Sequence, residues 1–127
     1  MTMRILLAED DAAMRHYLTR ALSQAGYHVD AVDRGTAAVP LLQEGDYDLL
    51  LSDIVMPEMD GIELAQQCAR ISPLTQVMFI TGFAAVSLAT QDGRGQPARM
   101  LSKPFHLKAL VSEIERLFAQ DVPSLSC

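Results

Sequence analysis

Positive charge is scarce in this chain. Ten Lys and Arg residues stand against sixteen Asp and Glu, a net charge of −6. Phosphate backbones are held by basic faces, so this balance argues against nucleic acid as a partner. Cysteine is scarcer still: Cys68 falls inside a helical pattern and Cys127 is the last residue. That placement offers neither a disulfide framework nor a thiolate metal site. Long apolar runs are missing as well. None approaches the roughly 20 residues that cross a bilayer, which argues against a membrane span. Met1-Thr2-Met3-Arg4 leads straight into a strand-like segment and lacks the shape of a signal peptide. The expectation is a cytoplasmic protein with neither nucleic acid nor membrane as a partner. There are no internal repeats and no linker. With 127 residues, half of them apolar, the chain suits one domain and not two. That domain is expected over residues 1–120, with 121–127 as a flexible C-terminal tail.

What is present is a regular alternation. Residues 4–8 read as a strand. Met14, Tyr17, Leu18, Ala21, Leu22 and Ala25 then recur at spacings of three and four, the apolar stripe of a helix. Asp11 is placed to cap that helix and Gly26 to end it. Residues 28–32 alternate like a second strand, and 35–44 look helical. Pro40 lies inside that helix and lacks a backbone donor, so a kink or a late start is expected there. Residues 48–53 form an apolar run buried on both faces, stopped by the turn signal at Pro57. A helix capped by Asp60 follows, then a strand over 76–80 and a short helix over 84–89. The polar, Gly-rich stretch 90–97 interrupts, and it is where local stability should be lowest. Residues 99–102 give a fifth strand, and Leu107, Leu110, Val111, Ile114, Leu117 and Phe118 mark a last amphipathic helix.

Five strand–helix alternations with short connections imply a parallel sheet with helices on both faces. The strand ends carry the chemistry. Glu9 and Asp10 follow the first strand, Asp53 closes the third, Thr81 follows the fourth and Lys103 the fifth. Open α/β sheets bind ligands at these carboxyl ends. Carboxylates, a hydroxyl and a lysine together suit a hard cation and a phosphoryl group. For Glu9 and Asp10 to meet Asp53, the first and third strands must be neighbours. The expected fold is therefore α/β, a flavodoxin-like doubly wound (βα)5 with a five-stranded parallel sheet in the order 2-1-3-4-5.

These residues resemble response-regulator receiver domains, over residues 4 to about 119. The match is an ordered set: the acidic pair, Asp53 with Pro57 four residues on, Asp60-Gly61, Thr81 at a distance of 28 residues, and Lys103-Pro104-Phe105 a further 22 along. Each residue alone is ordinarily a turn, cap or packing residue; the ordered set is what carries the resemblance. The resemblance implies that Asp53 accepts a phosphoryl group from phosphohistidine and forms 4-aspartylphosphate. It implies Mg²⁺ held by Asp10 and Asp53, by Glu9 through water and by the Val55 carbonyl. Thr81 would donate its hydroxyl to the phosphate. Lys103 would pair with Asp53 first and phosphate later, its Lys-Pro bond being cis. Asp11 falls after the usual pair and is assigned to the helix cap. The donor, a histidine phosphotransferase or histidine kinase, would dock on the first helix (Arg15, His16, Thr19, Arg20) and at Phe105-His106.

Three departures narrow the expectation. Receivers commonly carry an aromatic residue three before the lysine, where this chain has Met100. Val55 and Phe83, two residues past Asp53 and Thr81, are apolar and cannot orient an attacking water, so slow hydrolysis of the acyl phosphate is expected. The sequence ends after the last helix, so the output is expected to be a surface read by another protein. Within the receivers, the stretches 5–11, 53–57, 78–86 and 101–107 look like single-domain cell-cycle regulators that prime the ClpXP protease, through ClpX, to recognise substrates. The alternative is a phosphate shuttle or sink within a relay. An aspartate-nucleophile phosphatase is disfavoured, since Val55 stands where its general acid belongs.

Overall fold

The computed structural model describes residues 2–81, 99–102 and 107–121. Five strands, β1 (Arg4–Ala8), β2 (His28–Val32), β3 (Leu49–Asp53), β4 (Gln76–Thr81) and β5 (Arg99–Ser102), form one parallel sheet in the order β2-β1-β3-β4-β5. The described helices are α1 (Ala12–Gln24), α2 (Gly35–Glu44), α3 (Gly61–Ile71) and α4 (Leu107–Asp121). The expected short helix at 84–89 lies outside the described residues.

Successive strand residues point to opposite faces, and both faces are covered. Leu6, Leu50, Val77 and Phe79 join Leu42, Leu64 and Cys68 on the face carrying α2 and α3. Ile5, Leu7, Leu49, Leu51, Met78 and Ile80 join Leu18, Leu22, Leu110, Ile114 and Phe118 on the face carrying α1 and α4. Every residue of β3 is buried, as its unbroken apolar run requires. A buried Leu stabilises by about 2 kcal/mol, so these two layers hold the strand ends in register.

One local expectation changes, and of the two alternatives expected at Pro40 the late helix start does not occur. Tyr17 belongs to the apolar spacing of α1, yet it is 51% exposed. The helix buries Leu18, Ala21 and Leu22 instead, which leaves Tyr17 at the edge of the stripe. Pro40 does not delay α2, which runs from Gly35 through to Glu44. Its missing N–H faces one carbonyl, that of Thr36 a turn back, and Pro40 itself lies on the solvent side of the helix.

At the amino-terminal edge of the sheet, Tyr47 ties three segments together. Its hydroxyl donates to Asp30 Oδ2 at 2.6 Å, and the Arg4 guanidinium lies 4.8 Å from its ring centroid. Burial and then the Asp30 carboxylate push the Tyr47 hydroxyl up to about 12. The raised value means that the fold favours the protonated phenol. Its contribution is therefore complete below the unfolded value of about 10 and is lost as pH rises through about 12. Tyr47→Phe is expected to cost about 1 kcal/mol at neutral pH in denaturant melts. The gap to wild type should close in strong alkali; a constant gap would mean that the hydroxyl is not the cause.

Candidate phosphoacceptor site

The site forms because β1 and β3 are neighbours. Ala8 pairs with Ser52, so the residues just beyond β1 meet the last residue of β3. Glu9, Asp10 and Asp53 each offer a carboxylate oxygen to a group that lies within 4.8 Å. Glu9 is fully buried and Asp53 is 7% exposed, whereas Asp10 is open to solvent. Ligands of an octahedral Mg²⁺ at about 2.1 Å lie about 3–4.2 Å apart. Three carboxylates gathered within 4.8 Å could hold such an ion. The donors are all hard oxygens, which Mg²⁺ prefers.

The turn that carries Glu9 and Asp10 is closely held. The Glu9 N–H donates to Val32 O at 3.1 Å, and the Asp11 N–H donates to Glu9 Oε2 at 3.2 Å. Asp11 caps α1, with Oδ1 accepting from the Met14 N–H at 3.0 Å, as the sequence suggests. Arg15 Nη1 donates to the Glu9 carbonyl at 3.0 Å. Arg15 therefore has an internal partner, and so does Thr19, whose hydroxyl donates to Arg15 O at 2.7 Å. His16 and Arg20 instead border a groove of about 280 Å³ together with Tyr17, Gln24 and Leu107.

Asp53 is fixed from both sides. Ser52 Oγ donates to its carbonyl at 2.8 Å, and the Val55 N–H donates to Asp53 Oδ1 at 3.3 Å. The Val55 side chain is 62% exposed at the lip of the site. Beyond it the chain returns at once: the Gly61 N–H donates to Ile54 O at 2.7 Å, and Asp60 Oδ1 caps α3 through the Glu63 N–H at 2.8 Å. Glu58 sits in the left-handed region at φ 70°. Its carboxylate accepts from Thr36 Oγ1 at 3.1 Å and from Arg34 Nη1 at 3.4 Å, which brackets the loop against the start of α2. Nothing in the sequence marks Glu58 or Arg15 for these tasks. The partners of Glu58 lie more than twenty residues away and are brought near by the fold, whereas Arg15 meets Glu9 because the chain turns from β1 into α1.

Thr81 ends β4 at the same edge, its backbone in register with Ser102 of β5. The Thr81 side chain, Phe83, Lys103, the Lys103-Pro104 bond and Phe105-His106 lie outside the described residues. Met100 lies in β5, in register with Phe79. Cys68 is a buried free thiol, and Cys127 lies outside the described residues. Among the described residues, no helix is long and apolar enough to cross a membrane.

The model of the response regulator receiver domain matches residues 5–115. The chain belongs to the response regulator receiver domain family. This receiver is 57% identical over 114 residues to the response regulator receiver protein CpdR of Brucella abortus (strain 2308), covering 90% of this chain and 95% of that one. It is 34% identical over 115 residues to the sensor kinase CckA of the same organism, covering 89% of this chain but 12% of CckA. The crystal structure of a response regulator receiver protein from Sinorhizobium medicae WSM419 superposes with a TM-score of 0.83 at 30% identity, covering 95% and 98% of the two chains. Receivers are signalling modules, and their strand-end acidic residues generally bind Mg²⁺. The cluster of Glu9, Asp10 and Asp53 is where this chain has such residues.

Proposed function

We propose that this receiver takes a phosphoryl group from phosphohistidine onto Asp53 and thereby switches its binding to a protein partner. The observation that supports this best is the meeting of Glu9, Asp10 and Asp53 within 4.8 Å at the carboxyl edge of the sheet. Asp10, Asp53, Glu9 through water and the Val55 carbonyl would hold Mg²⁺, which supplies neutralising charge for phosphoryl oxygens when bound. An Asp53 carboxylate oxygen attacks phosphorus, the O–P bond forms, and the N–P bond to the donor imidazole breaks. Thr81 donates its hydroxyl to the transferred phosphate. Lys103 passes from the carboxylate to the phosphate oxygens as a mobile point charge. The donor, a histidine phosphotransferase or histidine kinase, docks on α1, where His16 and Arg20 border the groove.

The output we propose is that of a CpdR-like adaptor for the ClpXP protease, supported by 57% identity along nearly the full length of CpdR. The unphosphorylated form binds ClpX. Phosphate shifts the population to a second conformation through contacts with Thr81 and Lys103. The test is a pull-down of ClpX with the chain, with and without Mg²⁺ and beryllofluoride, which stands in for phosphate on Asp53. ClpX retained only without beryllofluoride is the expected result. Equal retention in both conditions, or none in either, overturns the adaptor reading. The second reading is a phosphate shuttle or sink, and a sink needs a short-lived acyl phosphate. The exposed, apolar Val55 favours a long one, because it offers no group to orient water toward Asp53.

A further inference from the structure

We infer that Arg15 is a positioning residue for the metal-binding turn, not a docking cation, an inference that rests on the phosphoacceptor reading above. The Glu9 carbonyl belongs to the peptide that joins Glu9 to Asp10. Arg15 reaches back from the first turn of α1 to hold that oxygen at 3.0 Å. The peptide lies just past the end of β1, beyond its pairing with β3. Rotating it would swing the solvent-exposed Asp10 away from the buried Glu9 and Asp53. Other hydrogen bonds secure the flanking residues of the turn: Glu9 through Val32, and Asp11 through Glu9 Oε2 and Met14. Arg15 acts on the peptide that leads into Asp10, while the Asp11 N–H holds the peptide that follows it.

Arg15 is itself well anchored for this. Its own N–H donates to Asp11 O at 2.8 Å, and its carbonyl accepts from Thr19 Oγ1 at 2.7 Å. A planar fork on a fixed helix is a more rigid clamp than an ammonium. Two effects of the guanidinium oppose each other. As a charge beside carboxylates it competes with a cation, so its loss would tighten Mg²⁺ binding. As a clamp it holds Asp10 in place, so its loss would loosen binding. Groups that orient metal ligands from outside commonly alter affinity by about 10–100-fold. The carbonyl contact makes the clamp the stronger effect.

The experiment is Mg²⁺ titration by calorimetry on the full chain, comparing wild type, Arg15→Ala, Arg15→Lys and, as a distant charge control, Arg70→Ala. Phosphorylation by acetyl phosphate is followed in parallel across Mg²⁺ concentrations. Arg15→Ala is expected to bind Mg²⁺ about tenfold or more weakly. Saturating Mg²⁺ should restore its rate to near that of wild type, a split that general damage to the fold would not give. Arg15→Lys should fall between the two, and Arg70→Ala should match wild type. Unchanged or tighter binding by Arg15→Ala overturns the inference. Should Arg15→Ala not fold, Arg15→Lys decides: weaker binding supports the clamp, and binding equal to wild type overturns it. A wild-type chain that binds no Mg²⁺ overturns the phosphoacceptor reading itself, and this inference with it.

Discussion

Asn in place of Asp53 is expected to abolish phosphorylation by acetyl phosphate and by a phosphohistidine donor, and to leave ClpX retention insensitive to beryllofluoride. The substitution is nearly isosteric, and its effect is chemical. Asn keeps an oxygen that can accept from the Val55 N–H, the bond that Asp53 Oδ1 makes at 3.3 Å. It also keeps the backbone carbonyl that takes the Ser52 hydroxyl at 2.8 Å. The fold is therefore retained, while the negative charge and the nucleophilic oxygen are lost. A neutral amide does not attack phosphorus, so the loss of labelling should be complete, not partial.

The same variant also reports on the metal. Mg²⁺ at about a hundred times its Kd stabilises a folded protein by about 2.7 kcal/mol, because it binds the native state and not the unfolded one. Melts of the wild-type chain with and without Mg²⁺ should show that shift. In Asp53→Asn it should shrink to a small residue, since one of the three clustered carboxylates no longer carries charge. In an adaptor that works unphosphorylated, the variant should bind ClpX constantly. A variant that still takes up label, or that still releases ClpX in beryllofluoride, would show that Asp53 is not the acceptor.

The meeting of Glu9, Asp10 and Asp53 could be anticipated because these acids follow apolar strand-like runs in an ordered set, where each alone would read as a turn or cap residue. Their meeting requires β1 beside β3, the order the sheet has. The strands were legible for a related reason: a run such as Leu49 to Leu51 has two buried faces and no polar side. What was not legible depends on tertiary proximity. Arg15 looks like any surface cation on an amphipathic helix, and only the turn back toward Glu9 gives it a partner. Glu58 carries a left-handed φ of 70° without being Gly or Asn, so no local signal marks it. Tyr17 obeys helical spacing, yet the stripe closes over Leu18 and Leu22 and leaves it half exposed. Periodicity finds the face of a helix and cannot say where that face ends.

The close approach of Gly61 to the end of β3 is likewise visible only in three dimensions, and Gly61→Ala is expected to destabilise the chain by about 3 kcal/mol or more. The helix α3 begins against the end of β3. A Cβ at Gly61 would fall 2.1 Å from the Asp53 carbonyl oxygen, 2.9 Å from Ile54 Cα and 3.0 Å from the Asp53 carbonyl carbon. All three are backbone atoms, so no side chain can rotate aside. Relief requires α3 and the end of β3 to part, which stretches the 2.7 Å bond from the Gly61 N–H to Ile54 O. Gly26→Ala is the instructive comparison. There φ is +102° and a Cβ meets nothing within 4 Å, so the cost is conformational and about 1 kcal/mol. Denaturant melts should therefore rank Gly61→Ala well below Gly26→Ala. Because the atoms that must move belong to Asp53, folded Gly61→Ala should also bind Mg²⁺ more weakly, whereas Gly26→Ala should match wild type. Equal stability of the two variants would mean that the close approach of α3 to β3 does not exist in solution.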